Sequence, residues 1–210
     1  MQQLQSRQKA LLISGIILLG ACMRAPFTAL PSVITEIATS FHVPVTNLGI
    51  LTTIPLLCFG LFSSVVPIIC RRLGNNLAIL WALIVLTIGA YLRVFSYSSL
   101  LFGTFLVGLA ITFINVLLPA IITEQLPRQV GLMTSLYGVS LDMFSAIFAY
   151  IITPLTLLWN WQIAVMLISA LVVVTLVVWL PNAKSTQSMP RAITTKRHHH
   201  SIWQSWQAWC

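Results

Sequence analysis

The chemistry available to this chain starts at Gly20-Ala21-Cys22-Met23-Arg24-Ala25-Pro26-Phe27-Thr28-Ala29-Leu30-Pro31, where an arginine sits inside an apolar run and no acid precedes Glu36. A guanidinium in hydrocarbon is costly, so such residues face a bundle interior or a wet cavity and point to function. Two roles are open to Arg24. It can form a structural ion pair, for which Asp142 is the one acid well inside an apolar segment, or it can bind an anion. The planar fork of arginine suits the second role, because it grips carboxylate-like oxygens with two parallel hydrogen bonds. Pro26 and Pro31 lack backbone N–H groups, which predicts a bent helix with carbonyls freed for a ligand.

Other polar or small residues recur at helical spacing and so share faces. Gly20, Arg24, Thr28 and Pro31 form one stripe. Thr104, Gly108, Thr112, Asn115 and Pro119 form another, and Ser135, Gly138, Asp142, Ala146, Ala149 and Thr153 a third. Gly49, Thr53, Gly60, Ser63 and Pro67 lie close to one face of their segment. Small residues in such stripes serve close helix packing. That explanation does not cover Arg24, Asn115 and Asp142, whose desolvation needs a partner or water.

These stripes lie on membrane-spanning helices. The chain is 58% hydrophobic and 7% charged, with a mean hydropathy of +0.95, against roughly 25% charged residues in a soluble domain. Six apolar segments near or above the roughly 20 residues of a span are read at 10–37, 47–69, 77–95, 100–123, 132–154 and 163–181. The expected fold is therefore all-α and integral to the membrane, with a six-helix bundle over residues 1–181. The third and sixth segments are nearly free of polar side chains and read as lipid-facing; the other four read as interior-facing. Counting from Ala10, Arg24 lies roughly 21 Å along a ~30 Å core, past its midplane.

The net charge of +8 belongs to loops. Arg7, Lys9, Arg71, Arg72, Arg128, Lys184, Arg191, Lys196 and Arg197 fall on one side, against Arg24 and Arg93 on the other. That asymmetry predicts a cytoplasmic N-terminus in an inner (cell) membrane protein. Residues 182–201 read as a basic cytoplasmic linker, and its His198-His199-His200 as a solvated loop in preference to a metal site. Trp203, Trp206 and Trp209, within 202–210, read as the start of a seventh helix. Cys22, Cys58, Cys70 and Cys210 lack CxxC spacing and read as packed free thiols.

Several stretches resemble the major facilitator superfamily, and within it the cyanate and 2-nitroimidazole (CynX/NimT-like) branch. They are Arg24-Ala25-Pro26-Phe27-Thr28, Leu51 through Phe62, Asn115-Val116-Leu117-Leu118-Pro119 and Leu132 through Tyr137. The resemblance implies the N-terminal half of a transporter that moves a small anionic or polar solute by alternating access. It implies that Arg24 holds the anionic group, that Thr28, Thr53 and Asn115 contribute polar contacts, and that Tyr137 stacks on or gates the ligand. Asp142 is a coupling or ion-pair candidate without a counterpart in the branch. Of the superfamily's gating loop between helices two and three, only Arg72-Leu73-Gly74 is kept, with Arg71 where the acid should stand. Thr104 replaces the fourth-helix arginine of many proton-coupled relatives.

The expected partners are the lipid bilayer, a small-molecule solute, and a second six-helix half or a homodimer partner. The alternative is a truncated half without transport of its own. Enzymatic function is not expected: HExxH, GxSxG and a membrane-embedded acid dyad are all missing. No cofactor is expected. The basic residues are dispersed over loops, which argues against nucleic acid.

Overall fold

The computed structural model describes residues 6–183, and among these there are helices and turns but no strand. The first expected segment is α1 (Ser6–Ser32) followed by α2 (Ile34–Phe41). The break falls at Val33, two residues after Pro31, whose missing N–H weakens the last turn of α1. The second segment is divided further, into α3 (Val45–Leu48), α4 (Ile50–Phe62) and α5 (Val66–Leu73). Gly49 interrupts it once. Ser63-Ser64-Val65 interrupts it again just before Pro67, which cannot donate to the turn behind it.

The remaining segments are single helices: α6 (Asn75–Leu92), α7 (Tyr97–Gln125), α8 (Val130–Leu158) and α9 (Trp161–Ala183). The last three overrun their expected ends by several residues in total. Ser96 and Ser99 cap α7 reciprocally, side chain to backbone, which fixes its start. Among the described residues, five stretches are long and apolar enough to cross a membrane: Val45–Phe62, Asn75–Leu92, Tyr97–Gln125, Val130–Thr156 and Trp161–Pro181. In α1 the apolar stretch Ile13–Arg24 is shorter. The expectations for a linker and a seventh helix over 184–210 lie outside the described residues.

Neighbour relations follow a twofold pattern. Helix α1 packs on α8 and α9, while α7 packs on α4 and α6; α6 and α9 meet each other. Each half-bundle helix of the first three spans thus has a counterpart in the last three. Small residues set the closest crossings. A Cβ on Gly103 would stand 2.6 Å from the Gly89 carbonyl oxygen, so α6 and α7 touch backbone to backbone there. Gly108 admits Pro55 of α4 in the same way. Two apolar cores result, one around Leu83, Leu86, Ile114, Leu118 and Trp179, the other around Val33, Ile37, Leu100 and Trp161.

Helices α6 and α9 are each buried on one face and exposed on the other, where α6 shows Trp81 and Ile88. The largest outward apolar faces are on α4 (Leu56, Leu57, Phe59, Leu61) and α8 (Leu132, Val139, Met143, Tyr150). Faces of this size are stable only under lipid or another helical surface.

Candidate functional site

Three helices bring polar side chains together near the middle of the bundle. Helix α1 supplies Met23 and Arg24, α7 supplies Asn115, and α8 supplies Tyr137 and Asp142. Gly20 makes the approach of α1 to α8 possible. A Cβ at that position would collide with the Ser140 hydroxyl and lie 3.4 Å from the Tyr137 ring. The Tyr137 hydroxyl donates to Asn115 Oδ1 at 3.1 Å, with the sulfur of Met23 3.3 Å away. Tyrosine is thereby held in one rotamer, its ring buried among apolar neighbours and its polar tip at the cluster.

Arg24 Nη2 lies 4.0 Å from Asp142 Oδ1. The two side chains are 42% and 84% exposed, so this is a loose contact at an open mouth. Both roles considered for Arg24 are compatible with it: the guanidinium has a carboxylate in reach and enough room for a different oxyanion to replace it. The premise that Arg24 is the buried cation of this chain needs correction, because nearly half its side chain is accessible.

The fourth-segment stripe separates into two parts. Thr104 and Thr112 donate to the carbonyls of Leu100 (2.7 Å) and Gly108 (2.8 Å) one turn back on their own helix. Gly108, on the same stripe, receives Pro55 of α4. Asn115 alone among these reaches another helix through its side chain. Thr53 is exposed on α4 and donates to the Gly49 carbonyl at 3.1 Å, outside the Arg24–Tyr137 cluster. The side chains of Thr28 and Arg72 lie outside the described residues. In α8, Ser135, Asp142, Ala146, Ala149 and Thr153 are exposed, Asp142 with Arg24 of α1 in reach, and a Cβ on Gly138 would meet nothing within 4 Å.

The expected gating loop is a tight corner between α5 and α6. Gly74 has φ 83° and ψ 147°, a backbone conformation open to glycine, and its N–H caps α5 on the Cys70 carbonyl at 2.8 Å. The next two residues are buried and pinned to distant helices. Asn75 Nδ2 donates to Glu124 Oε2 (2.9 Å), Gln125 Nε2 donates to Asn76 Oδ1 (3.3 Å), and Trp179 Nε1 donates to the Asn76 carbonyl (3.2 Å). These hydrogen bonds tie the corner to the ends of α7 and α9. Among the cysteines, Cys22, Cys58 and Cys70 are buried free thiols, and Cys22 Sγ is 2.8 Å from Thr175 Oγ1.

One residue was missed by sequence reasoning. Arg93, the residue that caps α6, is 1% exposed and donates from Nη1 to the Pro26 carbonyl oxygen at 2.7 Å. Gly103 leaves it space to pass, since a Cβ there would be 3.0 Å from Arg93 Cγ. The signal was present: Arg93 follows an 18-residue apolar helix and precedes Val94-Phe95, so it too lies in apolar sequence.

The family model described as Major Facilitator Superfamily matches residues 14–209. An uncharacterized transporter of Bacillus subtilis (strain 168), YycB, is 35% identical over 201 residues, covering 94% of this chain and 50% of the relative. A 2-nitroimidazole transporter of Escherichia coli (strain K12) is 30% identical over 208 residues, covering 98% of this chain and 53% of the relative. The chain spans about half the length of the curated relatives it matches.

Proposed function

As the chain belongs to the major facilitator superfamily, we propose that it forms the N-terminal half of a secondary transporter for a small anionic or polar solute, cyanate-like, nitrate-like or nitroimidazole-like. The observation that carries this is the convergence of Arg24, Asn115 and Tyr137 from three helices at an open mouth. Arg24 binds the anionic or electron-rich end of the solute. Asn115 offers an amide whose oxygen already takes the Tyr137 proton, leaving its N–H₂ for the solute, and Tyr137 forms the floor. The cluster lies beside the outward stripe of α8, so the opposing wall of the cavity comes from a second helical unit. Placing the site between two such units is the arrangement in which rocking of one against the other gives alternating access.

The outward faces of α4 and α8 also favour a second reading, in which this chain alone does not transport and needs a second half or another copy. The N-terminus and the α5–α6 corner are cytoplasmic in both readings. Uptake by cells expressing this chain alone, this chain with a second six-helix half, and the full-length counterpart tests them together, with 2-nitroimidazole, cyanate, nitrate and small carboxylates as solutes. Uptake of one of these that falls strongly in Arg24→Lys supports the site, because the charge is kept and the two-pronged grip is lost. Unaltered uptake of every solute in that variant sinks it.

A further inference from the structure

Tyr137 reaches from α8 toward both α1 and α7, and its hydroxyl stands 3.1 Å from Asn115 Oδ1 and 3.3 Å from Met23 Sδ. A phenol has one proton to give. An amide oxygen is a strong acceptor and a thioether sulfur a weak one, so the proton goes to Asn115. The backbone holds the ring where this happens. Ser140 donates to the Tyr137 carbonyl at 2.7 Å, and the missing side chain of Gly20 leaves the ring its place against α1.

An asparagine side chain has an acceptor end and a donor end of nearly the same shape. Left alone at a solute site, it can turn over about χ2 and offer whichever end the solute needs. The Tyr137 hydroxyl removes that freedom. With Oδ1 committed to the phenol, the N–H₂ end is the one left to a solute, and turning over would leave the phenolic proton to sulfur. Arg24 likewise carries donors alone. The acceptor side chain at this mouth, Asp142, is 84% exposed and faces the guanidinium at 4.0 Å. A solute N–H or O–H that meets only donors gives up its bond to water and gains none, which discriminates more sharply than a lost apolar contact.

We propose that Tyr137 determines the selectivity of the solute site by acting through Asn115. It fixes the amide with its N–H₂ outward, and so restricts the site to solutes whose bound end carries acceptors only, such as a nitro group or a small oxyanion. Isosteres of the same size that bring an N–H or O–H to that place are refused. Tyr137 is thus a positioning residue, and its part rests on the solute site at Arg24 proposed above.

The test pair is 1-methyl-2-nitroimidazole and 1-methylimidazole-2-carboxamide, which share a ring and a planar substituent but exchange one acceptor oxygen for N–H₂. Each competes for uptake in the assembly, and with the solute, for which uptake depends on Arg24. In the parent protein the nitro compound is expected to inhibit at the lower concentration. Tyr137→Phe keeps the ring and gives up the proton, so Asn115 can turn over. The preference for nitro is expected to shrink by roughly two- to tenfold, the size of one neutral hydrogen bond. Asn115→Asp keeps an acceptor for Tyr137 and puts oxygen where the N–H₂ was, and is expected to favour the carboxamide. It decides the matter if Tyr137→Phe does not fold. Equal inhibition by the two compounds in the parent, or an equal loss for both in Tyr137→Phe, as a purely structural role would give, overturns the proposal and leaves the Arg24 site standing. Uptake that ignores Arg24→Lys for every solute strikes the site, and this selectivity with it.

Discussion

Arg93 Nη1 donates a 2.7 Å hydrogen bond to the carbonyl oxygen of Pro26, joining the end of α6 to the proline-containing part of α1 across 67 positions of sequence. Sequence reasoning expected the prolines of α1 to free carbonyls for a ligand. Here the carbonyl of Pro26 itself is engaged by a side chain of the protein, which ties this part of α1 to the end of α6.

Removing that side chain should destabilise the fold in a size-dependent way. Arg93→Ala loses a charge-assisted hydrogen bond and opens a cavity, together worth about 2–5 kcal/mol. Arg93→Met keeps most of the volume and removes the buried charge, so its loss should be clearly smaller. Reversible unfolding of both variants in mild detergent checks the order; equal losses would mean that the guanidinium's bulk is irrelevant.

The α6–α7 crossing should reject any side chain at its centre. In Gly103→Ala the new methyl meets the Gly89 carbonyl and Arg93 Cγ, neither of which is a free side-chain end. A loss of about 1–3 kcal/mol is expected. Gly131→Ala, with nothing within 4 Å of its Cβ, should be neutral or stabilising by up to ~1 kcal/mol through helix propensity. Expression level and Tm of the pair give the comparison.

Tyr137 and Asn115 should be energetically coupled. Tyr137→Phe deletes one hydrogen bond, worth about 0.5–1.5 kcal/mol. If the bond at 3.1 Å is what links them, the double variant with Asn115→Leu should be less destabilised than the sum of the two singles. Strict additivity in a double-mutant cycle would place the two residues in separate environments.

The Arg24–Asp142 pair, at 4.0 Å with both side chains accessible, should contribute little to folding. Asp142→Asn is expected to change stability by less than ~1 kcal/mol. Its effect should appear in solute affinity, which rises if the carboxylate competes with the solute for Arg24. Ligand titration of Asp142→Asn against the parent protein separates competition from a required coupling acid, since loss of the acid would abolish uptake.

The α5–α6 corner should be intolerant of a side chain at Gly74. Its φ of 83° places Gly74→Ala in a strained backbone region, at about 1–3 kcal/mol. Protease sensitivity between Arg72 and Asn75, compared before and after the substitution, reports whether the corner opens.

Much of the fold was legible in the sequence because hydrocarbon imposes long apolar helices, and their lengths and charge asymmetry are written in composition. The break at Val33 was not expected, since residues 10–37 read as one apolar segment, although Pro31 supplies its physical cause. Thr104 and Thr112 looked like site residues on the same stripe, yet their hydroxyls turn back on their own helix. Spacing alone could not separate them from Asn115, because a face of a helix does not say which neighbour stands opposite.

The sequence by itself determined that this chain is helical and membrane-spanning, and it marked Arg24, Asn115, Tyr137 and Asp142 as residues that must be accounted for. Only the tertiary structure decided which cation is buried. Arg24 and Arg93 have similar apolar surroundings along the chain. Arg24 ends up at an open mouth facing α8, whereas the Gly89–Gly103 contact draws α6 against α7 and encloses Arg93. Burial is a property of what packs around a side chain from distant sequence, and two glycines 14 positions apart set it here.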